Sequence, residues 1–428
     1  MATNVKGTHD VIAEEASAYS MVEGLMKSIA ELYAYKEVRP PVLEYTEVFA
    51  RGVGEGSDIV RKEMYTFDDK GGRSVTMRPE FTAGIMRVVV QNKLYATSEL
   101  PLKLYYAGPV FRYERPQLGR YRQFNQFGVE SIGHDSPYND VEVISMAYMI
   151  LQSLGLEKVT IKINTLGDEE TRNAYRTALR EYFAPHIKDM CDDCKSRFEL
   201  NPLRILDCKV DEDRPIINAA PKVNDFLSEN SKKRFDSVLE SLDSLGIPFE
   251  VDDTLVRGLD YYSETVFEFH YESATGNNYG AIGAGGHYGK LMKDLGGPEL
   301  PGIGFSFGIE RIVSVLKDDS LLPDVESKLD FYVMPIGIES RKYAQAVCTI
   351  LRVNGFSVDI CFDDVKMGNM FKRATNKRAK YAVIIGENEI ANEMVVLKDL
   401  EKQEQIEVKV SELVAKADEL LNECEKGE

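Results

Sequence analysis

Apolar residues recur at three- and four-residue steps from about Ala13 to Tyr35 (Val22, Leu25, Met26, Ile29, Leu32, Tyr33), which predicts one amphipathic helix near the start of the chain. Arg39-Pro40-Pro41 then stops helical propagation and leads into an extended stretch through Val48. Val75–Thr82 reads as a strand ending in the polar residues Arg78, Glu80 and Thr82. In Phe111–Glu130, apolar and aromatic residues at both ends predict two strands, with Pro116 and Gly119 marking a turn between them. Tyr138–Leu154 has helical spacing and stops at Gly155, Lys158–Asn164 is a short strand, and Asp168 caps a helix through about Phe183. After a charged helical stretch (Lys222–Leu245), the pattern from Leu255 to Glu272 switches to period two, a buried strand. Gly280–Leu291 reads as a glycine-rich bend into a helix. Gly302–Leu316 alternates glycine with Ile and Phe before turning helical, and such a strand lets something flat lie against it.

Asp318–Lys328 is polar, contains a proline and reads as a linker. Beyond it strands and helices alternate: Phe331–Pro335, helix Glu339–Asn354, Phe356–Ile360, helix Met367–Asn376, Tyr381–Ile385, a hairpin over Glu393–Val410, and a last helix from Ser411. That alternation predicts a separate α/β domain. The expected division is 1–325, with a peripheral insertion at about 165–250, and 326–428.

At 428 residues the chain has room for two or three domains. No run of 18 apolar residues occurs, and MATNVKGTHD has neither an apolar signal core nor a transit character, so the expected compartment is the cytoplasm, with no membrane partner. The net charge of −18 argues against non-specific coating of nucleic acid and leaves room for a local site. Against that background Arg112, Arg115, Arg120 and Arg122 crowd into FRYERPQLGRYRQFNQFGVE, with Arg78 upstream. Forked, permanent, weakly hydrated charge in an acidic chain suits a phosphate or carboxylate partner. Lys366–Lys380 carries six basic residues and no acid, which favours contact with a phosphate backbone. No G-x-x-x-x-G-K-[ST] occurs, so any use of ATP proceeds without a P-loop.

The F-R-x-E of Phe111–Glu114, its variable loop and the following arginine and phenylalanine resemble motif 2 of class II aminoacyl-tRNA synthetases. ERPQLGRYRQF narrows the resemblance to the histidyl-tRNA synthetases of bacterial type, as does RGLDYY at 257–262, a signature box of that family. The stretch from Arg39 resembles motif 1, which forms the dimer interface in the family, and Gly302–Leu316 resembles motif 3. The segment after Phe331 resembles the anticodon-binding domain of class IIa members. The resemblance thus implies an α+β class II synthetase catalytic domain, an antiparallel sheet flanked by helices, followed by a C-terminal α/β anticodon-binding domain. It also implies a homodimer that activates L-histidine with ATP and Mg²⁺ to histidyl-adenylate and transfers it to the 3′ end of tRNA(His), with no tightly bound cofactor. By the same resemblance Arg112 and Arg257 are catalytic, stabilising charge on the α-phosphate. Glu114, Arg120, Phe124 and Arg311 join Arg112 in holding ATP. Glu80, Thr82 and Gln126 take the amino group of histidine, and Glu130 and Tyr262 its imidazole, with Tyr261 and Tyr288 lining the pocket. Arg115, Gln117, Lys372 and Arg373 face tRNA. Phe81 stands where most members have glycine, and His287 where they have arginine.

Two further readings stand beside this one. The rival function is the non-catalytic paralogue that serves as regulatory subunit of ATP phosphoribosyltransferase; the α/β domain after Phe331 and the retained Arg112, Arg257 and Arg311 argue against it. Cys191-x-x-Cys194 with Cys208 supplies three thiolates, and His186 is a possible fourth ligand. Structural zinc usually takes two close pairs, and the second is missing, so the sequence assigns no metal and reads a small buried cysteine cluster.

Overall fold

The computed structural model describes residues 2–425 apart from 55–56, 116–118, 209, 211–212 and 323–328, with backbone alone at 423–425. It divides into two units, Met1–Pro323 and Asp324–Glu428.

The first unit is built on an eight-stranded sheet. Its order is Lys36–Glu37, Leu102–Phe111, Gln123–Ile132, Gly302–Gly308, Ala281–Tyr288, Tyr262–Tyr271, Val159–Thr165, Phe249–Val251. The six central strands are antiparallel and only the two short outer strands pair in parallel. Helices Ala13–Leu32, Pro137–Ser153 and Ile309–Asp318 bring their apolar stripes to one face, where Met26, Ile144, Phe127, Phe305 and Phe307 share a core. The other face carries a second core around Phe81, Tyr106, Val266 and Tyr288, which also takes in the candidate residues Tyr261, Tyr262 and Phe124.

The predicted elements recur with shifts that have physical causes. Thr46–Val53 is a helix, where the sequence reads extended chain to Val48. The strand predicted over Val75–Thr82 ends at Met77, and Thr82–Gln91 is a helix. Its first amides, Thr82 N (2.6 Å) and Ala83 N (2.9 Å), donate to the Glu80 carboxylate, so an acid two residues upstream caps the helix in place of an N-cap Ser or Asp. The glycine-rich stretch after Gly280 is no bend but the strand Ala281–Tyr288. Its glycines answer to neighbouring strands: a Cβ on Gly283 would lie 2.2 Å from the Phe307 ring, and one on Gly285 2.3 Å from the Gly304 carbonyl. RGLDYY precedes the strand Tyr262–Tyr271 and contributes only Tyr262 to it.

The peripheral region folds as Glu169–Phe183, with Asp168 accepting from Thr171 N at its cap, then Asp192–Leu200, the 3₁₀ turn Pro202–Asp207, Arg214–Asn218 and Glu229–Ser244. Tyr175, Leu179, Cys194, Ile205 and Cys208 form a core of their own.

In the second unit a five-stranded sheet runs Val358–Ile360, Phe331–Pro335, Tyr381–Ile385, Met394–Asp399, Gln405–Lys409. The first three strands are parallel and the last two antiparallel. Helices Ser340–Val353, Met367–Asn376 and Leu413–Glu425 accompany it. No helix among the described residues is long and apolar enough to cross a membrane.

Candidate active site

The pocket stands on the long hairpin Leu102–Phe111/Gln123–Ile132, paired continuously from Leu102–Ile132 to Phe111–Gln123. Beyond Phe111 one more backbone bond, Arg112 N to Arg122 O at 2.9 Å, holds the start of the loop in line with the strands. This is why Arg112 projects from a rigid base: its Nε donates to the Pro79 carbonyl at 2.8 Å and its guanidinium lies 5.3 Å from the Phe124 ring centre. A cavity of about 390 Å³ opens above, and Glu80, Thr82, Gln126, Tyr106, Tyr261 and Tyr262 are among the residues that line it. Arg112, Glu114, Arg120, Phe124, Arg257 and Arg311 line it as well.

The arginines of the cavity have a defined electrostatic state. Glu114 lies 3.8 Å from Arg112 and 3.7 Å from Arg120, longer than hydrogen bonds. Arg311, at the start of its helix, donates to the Ala281 carbonyl. Burial pulls the Arg311 pKa down, and the neighbouring Arg120 and Arg112 add to that pull against Glu114. Arg257 pairs with Glu268 at 2.5 Å, and Glu268 also holds His270 at 3.0 Å. Burial opposes the Arg257 charge, yet Tyr262 and Glu268 outweigh it and raise its pKa.

Behind Glu80 and Thr82 the packing is layered. Glu130 is 1% exposed and, with Tyr288, lies one layer behind the cavity surface. Its Oε1 accepts from Thr82 Oγ1 and its Oε2 from the Tyr288 hydroxyl, both at 2.7 Å. Burial pushes its pKa from 4.5 up to about 8, although those hydroxyl donors favour the ionised form. Burial likewise raises Glu80, against the pull of the Ala83 and Thr82 amides. The flat groups against the glycine strand are the protein's own. A Cβ on Gly302 would lie 2.5 Å from the Tyr288 ring, and one on Gly304 2.2 Å from Glu130 Oε2. Glu310 fastens the strand's following helix to the hairpin by accepting from Asn125 N at 2.9 Å.

Several residues take other places than the sequence suggests. Arg78 is structural: it is 6% exposed and donates to the carbonyls of Pro109 (2.8 Å) and Pro40 (2.7 Å), with its guanidinium 3.9 Å from the Phe81 ring centre. Phe81 itself stacks on Tyr106, their centres 4.3 Å apart, so its bulk fills the pocket floor. His287 is not at the pocket's rim. It is buried against Ser263 (3.3 Å) and Asp135 (3.8 Å), and burial lowers its pKa. Arg115 is exposed, and Gln117 lies outside the described residues. In the second unit Lys372 is exposed, whereas Arg373 is paired with Asp363 at 2.6 Å. Sequence reasoning missed Tyr106, Glu268, and the insertion's Arg204 and Asp207, which join Asp58 in the pocket wall. Period-two spacing places Glu268 on a strand but carries no sign that it meets Arg257.

A family model described as histidyl-tRNA synthetase matches residues 7–312, and one described as anticodon binding domain matches 330–420. A histidine–tRNA ligase of Lysinibacillus sphaericus is 45% identical over 412 residues, 96% of this chain and 97% of the relative. One of Bacillus subtilis is also 45% identical over 412 residues, 96% of each chain. The crystal structure of apo S. aureus histidyl-tRNA synthetase superposes with a TM-score of 0.83 at 36% identity, covering 97% of this chain and 99% of that one.

Proposed function

The chain belongs to the histidyl-tRNA synthetase family and carries its activity, the ATP-dependent joining of histidine to tRNA, and from that premise we propose how its pocket divides the work. The observation that carries the proposal is the meeting, in one cavity, of Arg112, Arg120, Arg257 and Arg311 with Glu80, Thr82, Gln126 and Tyr262.

In the first step an oxygen of the histidine carboxylate attacks the α-phosphorus of ATP, the bond to the β-phosphate breaks, and pyrophosphate leaves. Negative charge grows on the α-phosphate oxygens, so cations fixed beforehand at that point stabilise the transition state more than the ground state. Arg112 and Arg257 take this role. Arg120 and Arg311 hold the outer phosphates, Phe124 stacks on adenine and Glu114 accepts from its amino group. Mg²⁺ arrives with the nucleotide and is held chiefly through its phosphates. Glu80, Thr82 and Gln126 receive the amino group of histidine. Tyr262 and Tyr261 supply polar groups for its ring, backed by the layer of Glu130 and Tyr288, and such a site rejects apolar isosteres strongly. In the second step the terminal tRNA hydroxyl attacks the carbonyl of the adenylate and AMP leaves. Arg115 and Gln117 meet the acceptor end, and Lys372 and Arg373 the anticodon region.

The working unit is a homodimer in the cytoplasm. Support comes from the three-stranded sheet Leu43–Tyr45/Ser74–Met77/Tyr65–Asp68, which leaves Leu43, Tyr45 and Phe67 about half exposed on one face. The test is histidine-dependent ATP–pyrophosphate exchange, run against other amino acids and beside Arg257→Ala. Exchange with histidine alone, reduced about 10²–10³-fold in the variant, is the expected outcome. Undiminished exchange in Arg257→Ala overturns the role given to that residue. No exchange in the folded wild type moves the protein to the regulatory paralogue.

A further inference from the structure

We infer that Cys191, Cys194, Cys208 and Asp213 form a structural zinc site beside the pocket wall. The sequence supplies three sulfurs and no second pair. The fold supplies the missing ligand from Asp213, while His186 leans on the Tyr182 ring, 5.6 Å between centres. One ligand atom from each of the four residues lies within 4.8 Å of all the others. Cys191 Sγ is 3.7 Å from Cys208 Sγ, and Cys208 Sγ is 3.5 Å from Asp213 Oδ2. A tetrahedral zinc with Zn–S of about 2.3 Å and Zn–O of about 2.0 Å has S···S edges of about 3.8 Å and S···O edges of about 3.5 Å. Those two edges already have these lengths, and the remaining ones stay within 4.8 Å.

Backbone amides point at two of the sulfurs. Cys194 N points at Cys191 Sγ (3.4 Å) and Val210 N at Cys208 Sγ (3.5 Å), and amide donors aimed at sulfur favour its ionised, metal-binding form. Cys191 N donates to Asp213 Oδ2 at 3.1 Å, fixing the carboxylate, and Arg214 donates to the Cys208 carbonyl at 2.9 Å. Cys194, Cys208 and Asp213 are all buried. Asp213 already accepts from Cys191 N and faces the Cys208 sulfur, and a cation would take the place of the thiol protons between these groups. Three soft donors select zinc over magnesium or calcium, and four protein ligands leave no open position, so the site is structural.

Its position gives the ion a task. Cys191 and Cys194 open the helix Asp192–Leu200, Cys208 follows the turn Pro202–Asp207, and Asp213 precedes Arg214–Asn218, so one ion ties three short elements together. From those elements Arg197 (3.2 Å) and Arg204 (2.9 Å) reach Asp58, and Asn201 reaches Asp260 at 2.9 Å. The zinc holds the insertion against the pocket.

The test measures zinc by mass spectrometry in the full-length chain, purified without chelator and passed through metal-free buffer, beside Asp213→Asn and Cys194→Ser. One zinc per wild-type chain is expected, and at least a tenfold loss of zinc retention in both variants. Cobalt in place of zinc is expected to give the intense visible bands of a tetrahedral thiolate complex, weakened and shifted in Asp213→Asn, which removes one charge with little change of shape. Folded wild-type protein that holds no zinc when purified and takes up no cobalt overturns the inference. So does a Cys191–Cys208 disulfide in the purified chain, or unchanged metal retention in Asp213→Asn.

Discussion

Replacing Glu130 with glutamine should flatten the way stability falls with pH. The carboxyl group is 1% exposed, and burial raises its pKa from 4.5 to about 8. A group whose pKa is higher in the folded state binds its proton more tightly there. Its stabilisation is therefore fully present below pH 4.5 and lost as pH rises through 8. At 1.36 kcal/mol for each tenfold, that displacement amounts to about 5 kcal/mol, of which about 4 falls between pH 5 and pH 9. Glutamine has the same shape and no proton to lose. Its amide N–H donates where the protonated carboxyl of Glu130 donates, toward the Thr82 and Tyr288 hydroxyls, and the exchange carries a pH-independent cost of about 1 kcal/mol.

The assay is urea unfolding followed by circular dichroism at pH 5, 6, 7, 8 and 9, reading the transition of the first unit. Glu264 and Glu310, also raised by burial, remain in both proteins and drop out of the difference. Glu80 is coupled to Glu130 through Thr82, which gives its amide to one and its hydroxyl to the other, so its contribution adds in the same direction. The variant is expected to start slightly less stable at pH 5 and to end more stable at pH 9. Parallel profiles, with the difference changing by less than about 1 kcal/mol across that range, would refute the reasoning about this buried acid.

Arg78→Met keeps the length of the side chain and removes its donors, leaving the Pro40 and Pro109 carbonyls unpaired at about 1–3 kcal/mol each. The first unit's transition in urea should move down accordingly, while pyrophosphate exchange per folded molecule persists; loss of exchange in the folded variant would give Arg78 a direct part in the chemistry. Lys372→Ala should weaken tRNA binding and lower the dependence of log K on log salt by about 1. Arg373→Ala should change that slope less, because Asp363 already holds its charge at 2.6 Å. Equal slopes for both variants and the wild type would remove this helix from the tRNA interface.

What the sequence made legible was whatever repeats at a fixed period or sits in a contiguous string. The helix Pro137–Ser153 and the alternation after Phe331 follow from spacing alone. Arg112, Arg120, Arg257 and Arg311 meet in one cavity, as their motifs imply. The rest depended on which neighbour a residue meets across the fold. Thr82–Gln91 was hidden because its cap is the carboxylate of Glu80, behind Pro79 and Phe81, where no usual N-terminal signal stands. Ala281–Tyr288 resembled a turn because glycine serves two ends, freedom of φ and absence of a side chain, and only the Phe307 ring beside Gly283 shows which one operates. Asp213 ends a run of acids, Asp211-Glu212-Asp213, and spacing cannot tell which of them turns inward to the cysteines.

The partners of the pocket arginines explain how an acidic chain keeps positive charge available for a nucleotide. A carboxylate partner fixes a guanidinium in place and cancels its charge, whereas a backbone carbonyl fixes it and leaves most of the charge in play. Arg112 is held by Pro79 O and Arg311 by Ala281 O, the second arrangement in both cases. Arg257 has the first, through Glu268, and that acid is itself shared with His270. In the pocket Arg112, Arg120 and Arg311 repel one another, as the lowered pKa of Arg311 records after the larger effect of burial. Glu114, 3.7–3.8 Å from two of them, only partly offsets this. In the roles proposed for these arginines, bound phosphates would remove that repulsion with little rearrangement, because the carbonyls have already set their positions. Charge that is positioned but not neutralised is what the transfer at the α-phosphate requires.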